Sequence, residues 1–460
     1  MNEARKRSEH PSSFRDPAGA LYFEDEVLYR FLSENHLKDF QLLKDSGLLE
    51  ILYHEGSLVV HHQVHRNETA ENEKGIVLRP ELIPFISYPY EWSFSALKEA
   101  ALLTLSIQIK ALEHGMTLKD ASAFNVQFVG TKPVFIDILS FEKYIEGRPW
   151  IAYRQFCEHF LAPLTLMSHC DIQLQSLLQV HLDGIPIDLA SKLLPVSTYL
   201  KFGHLMHIHL NGLAKKTYEG QSKVSQKVIS KQSLLGILDS LTSTVRAIHL
   251  PKKKSTWSNY YQEFTYSKES ISEKAVFVGT VAKKITPYMV WDLGGNTGKF
   301  SEIASKHSSY VICSDNDPYC VDQCFIKQKQ NNSKTILPLY LEVDNPTSGR
   351  GVEHRERFSL SERGPCELLL ALALTHHLSI SDGIPFSKIA SQFSKWCKNL
   401  IVEYVGLKDE QTIRLLATRE KPLEELTKDR FESAFSEFFE IVESKSLSGS
   451  DRTIYWMRSK

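Results

Sequence analysis

The sequence predicts a two-part chain: an α+β region, then an α/β domain on an open, mainly parallel sheet of the Rossmann-like kind. Three observations predict it. From about residue 270, short apolar runs alternate with amphipathic segments, the rhythm of parallel strands joined by crossover helices. The first run leads into V-W-D-L-G-G-N-T-G, residues 290–298, a strand followed by a glycine-rich turn. The second ends at Asp315, 23 positions after Asp292, where such a sheet holds an acid against a nucleoside ribose.

The elements of this region follow in order. Met289–Asp292 is apolar enough for a buried first strand, and a helix from about Lys299 to Lys306 follows the turn. Gly294 and Gly298 permit close approach of backbone N–H groups to a ligand, because a Cβ there would occupy ligand space. Asn296 tolerates left-handed geometry better than most residues. A second strand, Ser309–Ser314, ends in D-N-D at 315–317. A third, Ile336–Val343, ends at Asp344; a fourth, Glu367–Leu374, ends at Thr375, His376 and His377; a fifth, Asn399–Val405, contains Glu403. Polar residues at successive carboxyl ends mark the ligand edge of an open sheet. The turn lacks the G-x-G-x-x-G of dinucleotide sites. Lys299 is followed by Phe300, not by the Ser or Thr of a phosphate loop.

Upstream, residues 1–20 read as a flexible polar lead-in, 21–215 as an α+β domain, 216–270 as a helical connector and 271–460 as the α/β domain. Leu48–Tyr53 and Ser57–Val64, separated by Glu55-Gly56, suggest a hairpin. A polar stretch, Asn67–Gly75, follows. Ser93–Gly115 is a helix: Leu97, Ala101, Leu105, Ile109 and Leu112 share one stripe, with serine at the start and glycine at the end. Two short strands then flank G-T-K-P, residues 130–133. Residues 150–215 read mainly as helices. The connector holds one amphipathic segment, Ser233–Leu250, ended by P-K-K-K-S at 251–255. Trp257, Tyr260, Tyr261 and Phe264 precede the α/β core, where aromatics lid a ligand or pack between domains.

Bulk properties narrow the function. A formal net charge of −1 over 460 residues gives no global field for nucleic acid or anionic membrane. The longest conspicuous apolar run, Leu368–Leu374, is about a third of a membrane span, so no membrane segment is expected. Seven cysteines, odd in number and without C-x-x-C spacing, fit a reducing cytoplasm better than a disulfide framework. The charged start carries no signal-peptide pattern. His204, His207 and His209 form H-x-x-H-x-H, which reads as structural before it reads as a metal site. Cys313, Cys320 and Cys324 read as small apolar fillers.

D-L-G-G-N-T-G-K-F-S, V-I-C-S-D-N-D and A-L-T-H-H-L resemble motifs of class I S-adenosylmethionine (SAM) dependent methyltransferases. The resemblance implies Asp292, Gly294 and Gly298 around the methionine and backbone of SAM, with Asn296 where many relatives carry glycine. It also implies Asp315 on the ribose and Asp344 near the adenine. D-A-S-A-F-N-V-Q-F, P-V-F-I-D-I-L-S-F-E, G-R-P-W-I-A-Y-R-Q-F-C-E-H-F-L-A-P-L, D-N-P-T-S-G-R-G and V-E-Y-V-G-L-K-D resemble the nodulation-protein NoeA-like group, from about 115 to 420. Where such relatives read N-P-S-P and G-W, this chain reads N-P-T-S at 345–348 and G-R-G at 349–351, a difference in the loop after the third strand.

The expected activity is therefore methyl transfer from SAM to an oxygen or nitrogen nucleophile. Small molecule, carbohydrate and protein side chain all fit as the acceptor. His376 and His377 lie where a base would face the acceptor; otherwise one packs under the sheet and the other is solvated. Methyl transfer from a sulfonium needs little acid–base help beyond positioning. A second echo is Asp120 and Asn125 in D-x-x-x-x-N spacing with Asp137 beyond, which resembles a kinase catalytic loop. A kinase-like domain with nucleotide or metal at these three residues competes with an Asp-capped local loop. No glycine-rich loop or V-A-I-K lysine precedes them, and Ile138 follows Asp137. The competing function is a SAM- or nucleotide-binding protein whose kinase-like module regulates or replaces catalysis.

Overall fold

A computed structural model describes residues 7–64, 75–213, 228–251, 268–417 and 423–460. The chain forms two units: 1–129 with 133–252 and 351–357, and 130–132 with 253–350 and 358–460.

In the first unit, β1 (Arg7–Glu9), β2 (Gly19–Glu24), β3 (Val27–Ser33), β4 (His61–Val64) and β5 (Gly75–Pro80) make one antiparallel sheet in the order β1-β2-β3-β5-β4. The lead-in thus begins an edge strand, contrary to the expected flexible segment. Arg7 lies 4.0 Å over the Tyr22 ring and His10 packs 5.5 Å from Phe23. A polar edge strand has no apolar alternation to betray it. The expected 48–64 hairpin is also replaced. Leu48–Glu55 is a helix, α2, which follows α1 (Leu37–Asp45). Leu48, Leu49 and Leu52 are buried, the i, i+1, i+4 spacing of a helix face, and Gly56 at φ +61° ends it. Only His61–Val64 is a strand, and it pairs with β5. Over so short an apolar run the two periods are hard to tell apart.

The predicted long helix is α3 (Phe94–Glu113), whose Ala96 N–H donates to the Ser93 hydroxyl. β6 (Met116–Leu118) pairs with β9 (Phe141–Lys143), and β7 (Val126–Val129) with β8 (Lys132–Phe135) around the G-T-K-P turn. Short helical segments fill 150–213, among them α4 (Ala162–His169) and a π-helical turn, Leu205–Leu210. The amphipathic segment expected at 233–250 forms α5 (Lys231–Ala247). Leu234, Leu238 and Leu241 are buried, and the helix lies within the first unit. Residues 216–227 and 252–267 of the connector, with the K-K-K-S of the basic run and the aromatics at 257–264, lie outside the described residues, as do 67–74 of the polar stretch.

The second unit holds a seven-stranded sheet: β10 (Met289–Leu293), β11 (Tyr310–Asp315), β12 (Ile336–Tyr340), β13 (Cys366–Ala371), β14 (Cys397–Val405), β15 (Phe439–Ser446) and β16 (Arg452–Ser459). Its order is β12-β11-β10-β13-β14-β16-β15. The first five are parallel. β16 runs antiparallel to β14, and β15 antiparallel to β16. The chain winds from β10 out to β12, then crosses back to β13 on the other side of β10. Between β10 and β13 the winding reverses, which opens a crevice at their carboxyl ends. Val290, Val311, Leu368, Leu370 and Ile401 fill the core against Phe277, Val278 and Val281 of α6 (Lys268–Ile285). Helices α7 (Lys299–Ala304), α8 (Pro318–Gln330) and α9 (Phe386–Trp396) complete the crossovers. Among the described residues no helix is long and apolar enough to cross a membrane.

Candidate functional site

The crevice holds a cavity of about 240 Å³ lined by Asp292, Gly294, Gly295, Asn296, Asp315 and Asp344, among others. Asp292 is the penultimate residue of β10, paired with Cys313 on one side and Leu370 on the other, and lines the cavity. It is 2% exposed, and the Ser301 hydroxyl of α7 donates to its Oδ2 at 2.6 Å. Burial lifts its pKa to about 6, with Asp315 adding to the rise.

Asp315 ends β11 and is partly exposed. Its two oxygens are held by backbone donors: Asn296 N–H to Oδ2 at 2.8 Å and Asp317 N–H to Oδ1 at 2.9 Å. A carboxylate oxygen accepts more than one hydrogen bond, so each retains capacity for a ligand hydroxyl. Burial raises its pKa to about 6 against the lowering by those N–H groups. Two carboxyls raised to about 6 favour a ligand that brings positive charge and hydroxyl donors.

The turn 294–298 is shaped by what lies beneath it. Asn296 adopts φ +51° and Gly298 φ +82°. A Cβ on Gly298 would meet the Cys324 sulfur at 2.7 Å, and one on Gly295 the Cys313 sulfur at 2.8 Å. The expectation that a Cβ at Gly298 would fill ligand space is therefore corrected: the obstruction is a buried thiol under the turn. A Cβ on Gly294 would make only ordinary contact with Leu374, so that glycine serves its φ of +71°.

Asp344, with Leu341 and Val343, lines the cavity beyond β12. The predicted histidines part company. His377 lines the cavity; His376 does not, and is 2% exposed with neither ring nitrogen hydrogen-bonded. Their rings lie 4.2 Å apart. Burial, and then Arg452, lower His377 to about 4, so its imidazole is neutral at physiological pH. Burial, and then the neighbouring His377, push His376 well below the ordinary imidazole value.

Sequence reasoning missed Ser301, Lys274 and the role of Glu403. Lys274 of α6 lines the cavity and ion-pairs with Glu403 at 2.7 Å. Glu403 also accepts the Ala373 N–H at 2.9 Å and meets Arg452 at 3.3 Å. Ala373, at φ +49°, heads the loop that carries His377. Glu403 thus clamps that loop from the neighbouring strand. Burial lowers Lys274 to about 8 despite Glu403. Ser301 had a signal, nine residues past Asp292 on the helix after the turn. Lys274 had none, since helix α6 lies ahead of the motif.

In the first unit, the kinase-like trio is brought together. The Ser140 hydroxyl donates to Asp137 Oδ2 at 2.5 Å and accepts from Asn125 Nδ2 at 3.2 Å, and Asn125 bonds Asp120. Asp120 Oδ1 accepts the Ser122 N–H, the Asp-capped loop of the alternative reading. Asp137 pairs with Arg30 of β3 at 2.6 Å. Burial would raise the Asp137 carboxyl, but Arg30 and Ser140 outweigh it and hold it low. Among the described residues no group of three or more His, Cys, Asp or Glu is arranged to hold a metal ion.

No protein-family model matches the chain. It is 34% identical over 459 residues to the nodulation protein NoeA of Rhizobium meliloti (strain 1021), covering 96% of this chain and 94% of that protein. Among solved structures, the PH0226 protein from Pyrococcus horikoshii OT3 matches with 12% identity and a TM-score of 0.32, over 44% of this chain and 99% of its own. The N-methyltransferase NodS from Bradyrhizobium japonicum WM9 matches at 11% and 0.30, over 42% and 98%. Magnesium protoporphyrin IX methyltransferase (ChlM) from Synechocystis PCC 6803 with bound SAH matches at 14% and 0.32, over 44% and 92%.

Proposed function

The chain belongs to the family of the nodulation protein NoeA, and on that premise we propose that it is a SAM-dependent methyltransferase acting on an oxygen or nitrogen nucleophile. One observation carries the reading: two carboxyls with raised pKa, Asp292 and Asp315, border a single cavity at the winding reversal of a Rossmann-like sheet. The residues suit the cofactor. Asp315 has acceptor capacity for two ribose hydroxyls, Leu341 and Val343 offer an apolar wall for adenine beside Asp344, and Asp292 suits the cationic amino-acid end.

When bound, SAM supplies a methyl group activated on a sulfonium sulfur. The chain then orients the acceptor, excludes water and receives a proton. His377 offers a neutral imidazole at the cavity wall. An alkylated hydroxyl or amine is far more acidic than its parent, so a base titrating near 4 can still take a proton from an alkylated hydroxyl. Glu403, through Ala373, holds the loop that presents this ring. The first unit, in this reading, recognises the acceptor. The Arg30 clamp on Asp137 favours a polar knot there over a nucleotide or metal site.

Calorimetry with S-adenosylhomocysteine, then methyl transfer from labelled SAM into cell extract, tests the proposal. Saturable binding is expected, and His377→Ala should lower the transfer rate with the S-adenosylhomocysteine affinity retained. Absence of binding at millimolar ligand rejects the reading. Binding with no transfer to any fraction would favour the competing binding-protein function.

A further inference from the structure

The H-x-x-H-x-H segment is not used by the proposed reaction, and the structure divides its members. His207 is bonded to the Tyr153 hydroxyl at 2.9 Å and to the Ser240 hydroxyl at 2.9 Å. His209 is bonded to Ser191 and Thr198 at 2.8 and 2.9 Å, and stacks 3.6 Å from Tyr199. Both rings are fully engaged. His204 differs. It is 5% exposed, its Nε2 has no hydrogen-bond partner, and it lines a second cleft of about 670 Å³ within the first unit. A buried ring nitrogen without a partner, at the wall of a cleft, points to a ligand or solvent group that completes it.

The chemistry of the cleft is one-sided. Lys201, His169, His204 and His249 line it with the hydroxyl residues Ser243 and Thr244, and among the described residues no carboxylate lines it. Lys201 Nζ lies 3.2 Å from His169 Nε2, and the His169 ring sits 5.2 Å from that of His204. Burial, and then the neighbours His169, Lys201, His209 and His207, lower His204 to about 4. The carbonyl end of α5, which would otherwise attract a cation, is already occupied: Lys98 Nζ donates to the carbonyls of Arg246 and Ile248 at 2.9 and 2.7 Å. Phe202, 70% exposed, gives the mouth an aromatic surface. The volume suits a small organic ligand.

We propose that this cleft binds a phosphate monoester, its phosphoryl oxygens held by Lys201, His169 and His204 and its organic body against Phe202. A tetrahedral dianion matches several converging donors better than a planar carboxylate does. The site is independent of the SAM reading and stands or falls separately from it.

Calorimetry on the full chain, with inorganic phosphate, phenyl phosphate and benzoate as separate probes, tests it. Phenyl phosphate should bind saturably, more tightly than inorganic phosphate, and benzoate more weakly than either. Lys201→Gln, a surface change, should weaken phenyl phosphate about tenfold, as expected for one charge-assisted hydrogen bond. His204→Gln should weaken it as well, with the parent's far-UV circular dichroism and thermal denaturation retained as a check on folding. No saturable binding to the unmodified protein, equal affinity in Lys201→Gln, or benzoate binding as tight as phenyl phosphate would overturn the proposal.

Discussion

Replacing Asp315 with asparagine separates ligand recognition from stability, because the two should move in opposite directions. The carboxyl titrates near 6 in the empty fold against an ordinary 3.8. A raised acid pKa means that the folded state binds its proton more tightly than the unfolded chain does. The penalty is therefore absent below 3.8, grows as pH rises through 6, and is complete above that. It amounts to at most roughly 3 kcal/mol at pH 8. Asparagine removes that penalty. Its single amide oxygen keeps only one of the N–H bonds from Asn296 and Asp317, a loss of about 1 kcal/mol. The empty variant should thus be as stable as the parent, or more so, at pH 8. Ligand binding should suffer. Two hydroxyls lose a charged acceptor, worth about 1.5 kcal/mol each at the low end, so S-adenosylhomocysteine should bind roughly a hundredfold more weakly. Calorimetry and thermal denaturation at pH 8 read both quantities. An affinity within threefold of the parent, in a folded variant, would refute the ribose assignment.

Three further outcomes are expected. S-adenosylhomocysteine binding should weaken as pH falls from 7 to 5, since Asp292 and Asp315 both titrate near 6 and the ligand selects their ionised forms. A flat calorimetric profile over that range would contradict this. Arg30→Met should destabilise the chain by about 3 kcal/mol in urea unfolding by leaving Asp137 buried without its counter-ion, and adding Asp137→Asn should recover much of the loss; strictly additive effects would deny the pair. Gly298→Ala should cost about 2 kcal/mol, from its φ of +82° and the Cys324 sulfur below. Cys324→Ala should rescue only the steric part, and full rescue would show that the backbone conformation carries no cost.

Local pattern reached some of these features and not others. The 290–298 turn, the strand end at Asp315 and helix α3 each announce themselves through residues adjacent in sequence, where period and capping act over a few positions, whereas β12 stops at Tyr340 and leaves Asp344 in the loop past the expected strand end. The lead-in strand and α2 escaped because a polar edge and an eight-residue apolar run carry no distinctive period. Strands β15 and β16 were not assigned from the sequence. β15 is largely exposed, and which neighbour β16 chooses is a long-range matter.

The order of acids and glycines along the chain was enough to place acids along one edge of a parallel sheet, because each parallel strand presents its carboxyl end to the same side. Tertiary structure alone decided which groups share a space. It brought Lys274 beside Glu403 across 129 positions, turned His377 toward the cavity and His376 away, and set Cys324 beneath Gly298. Burial and charge depend on neighbours distant in sequence, so the raised carboxyls and the lowered imidazoles exist only once the sheet has closed around them.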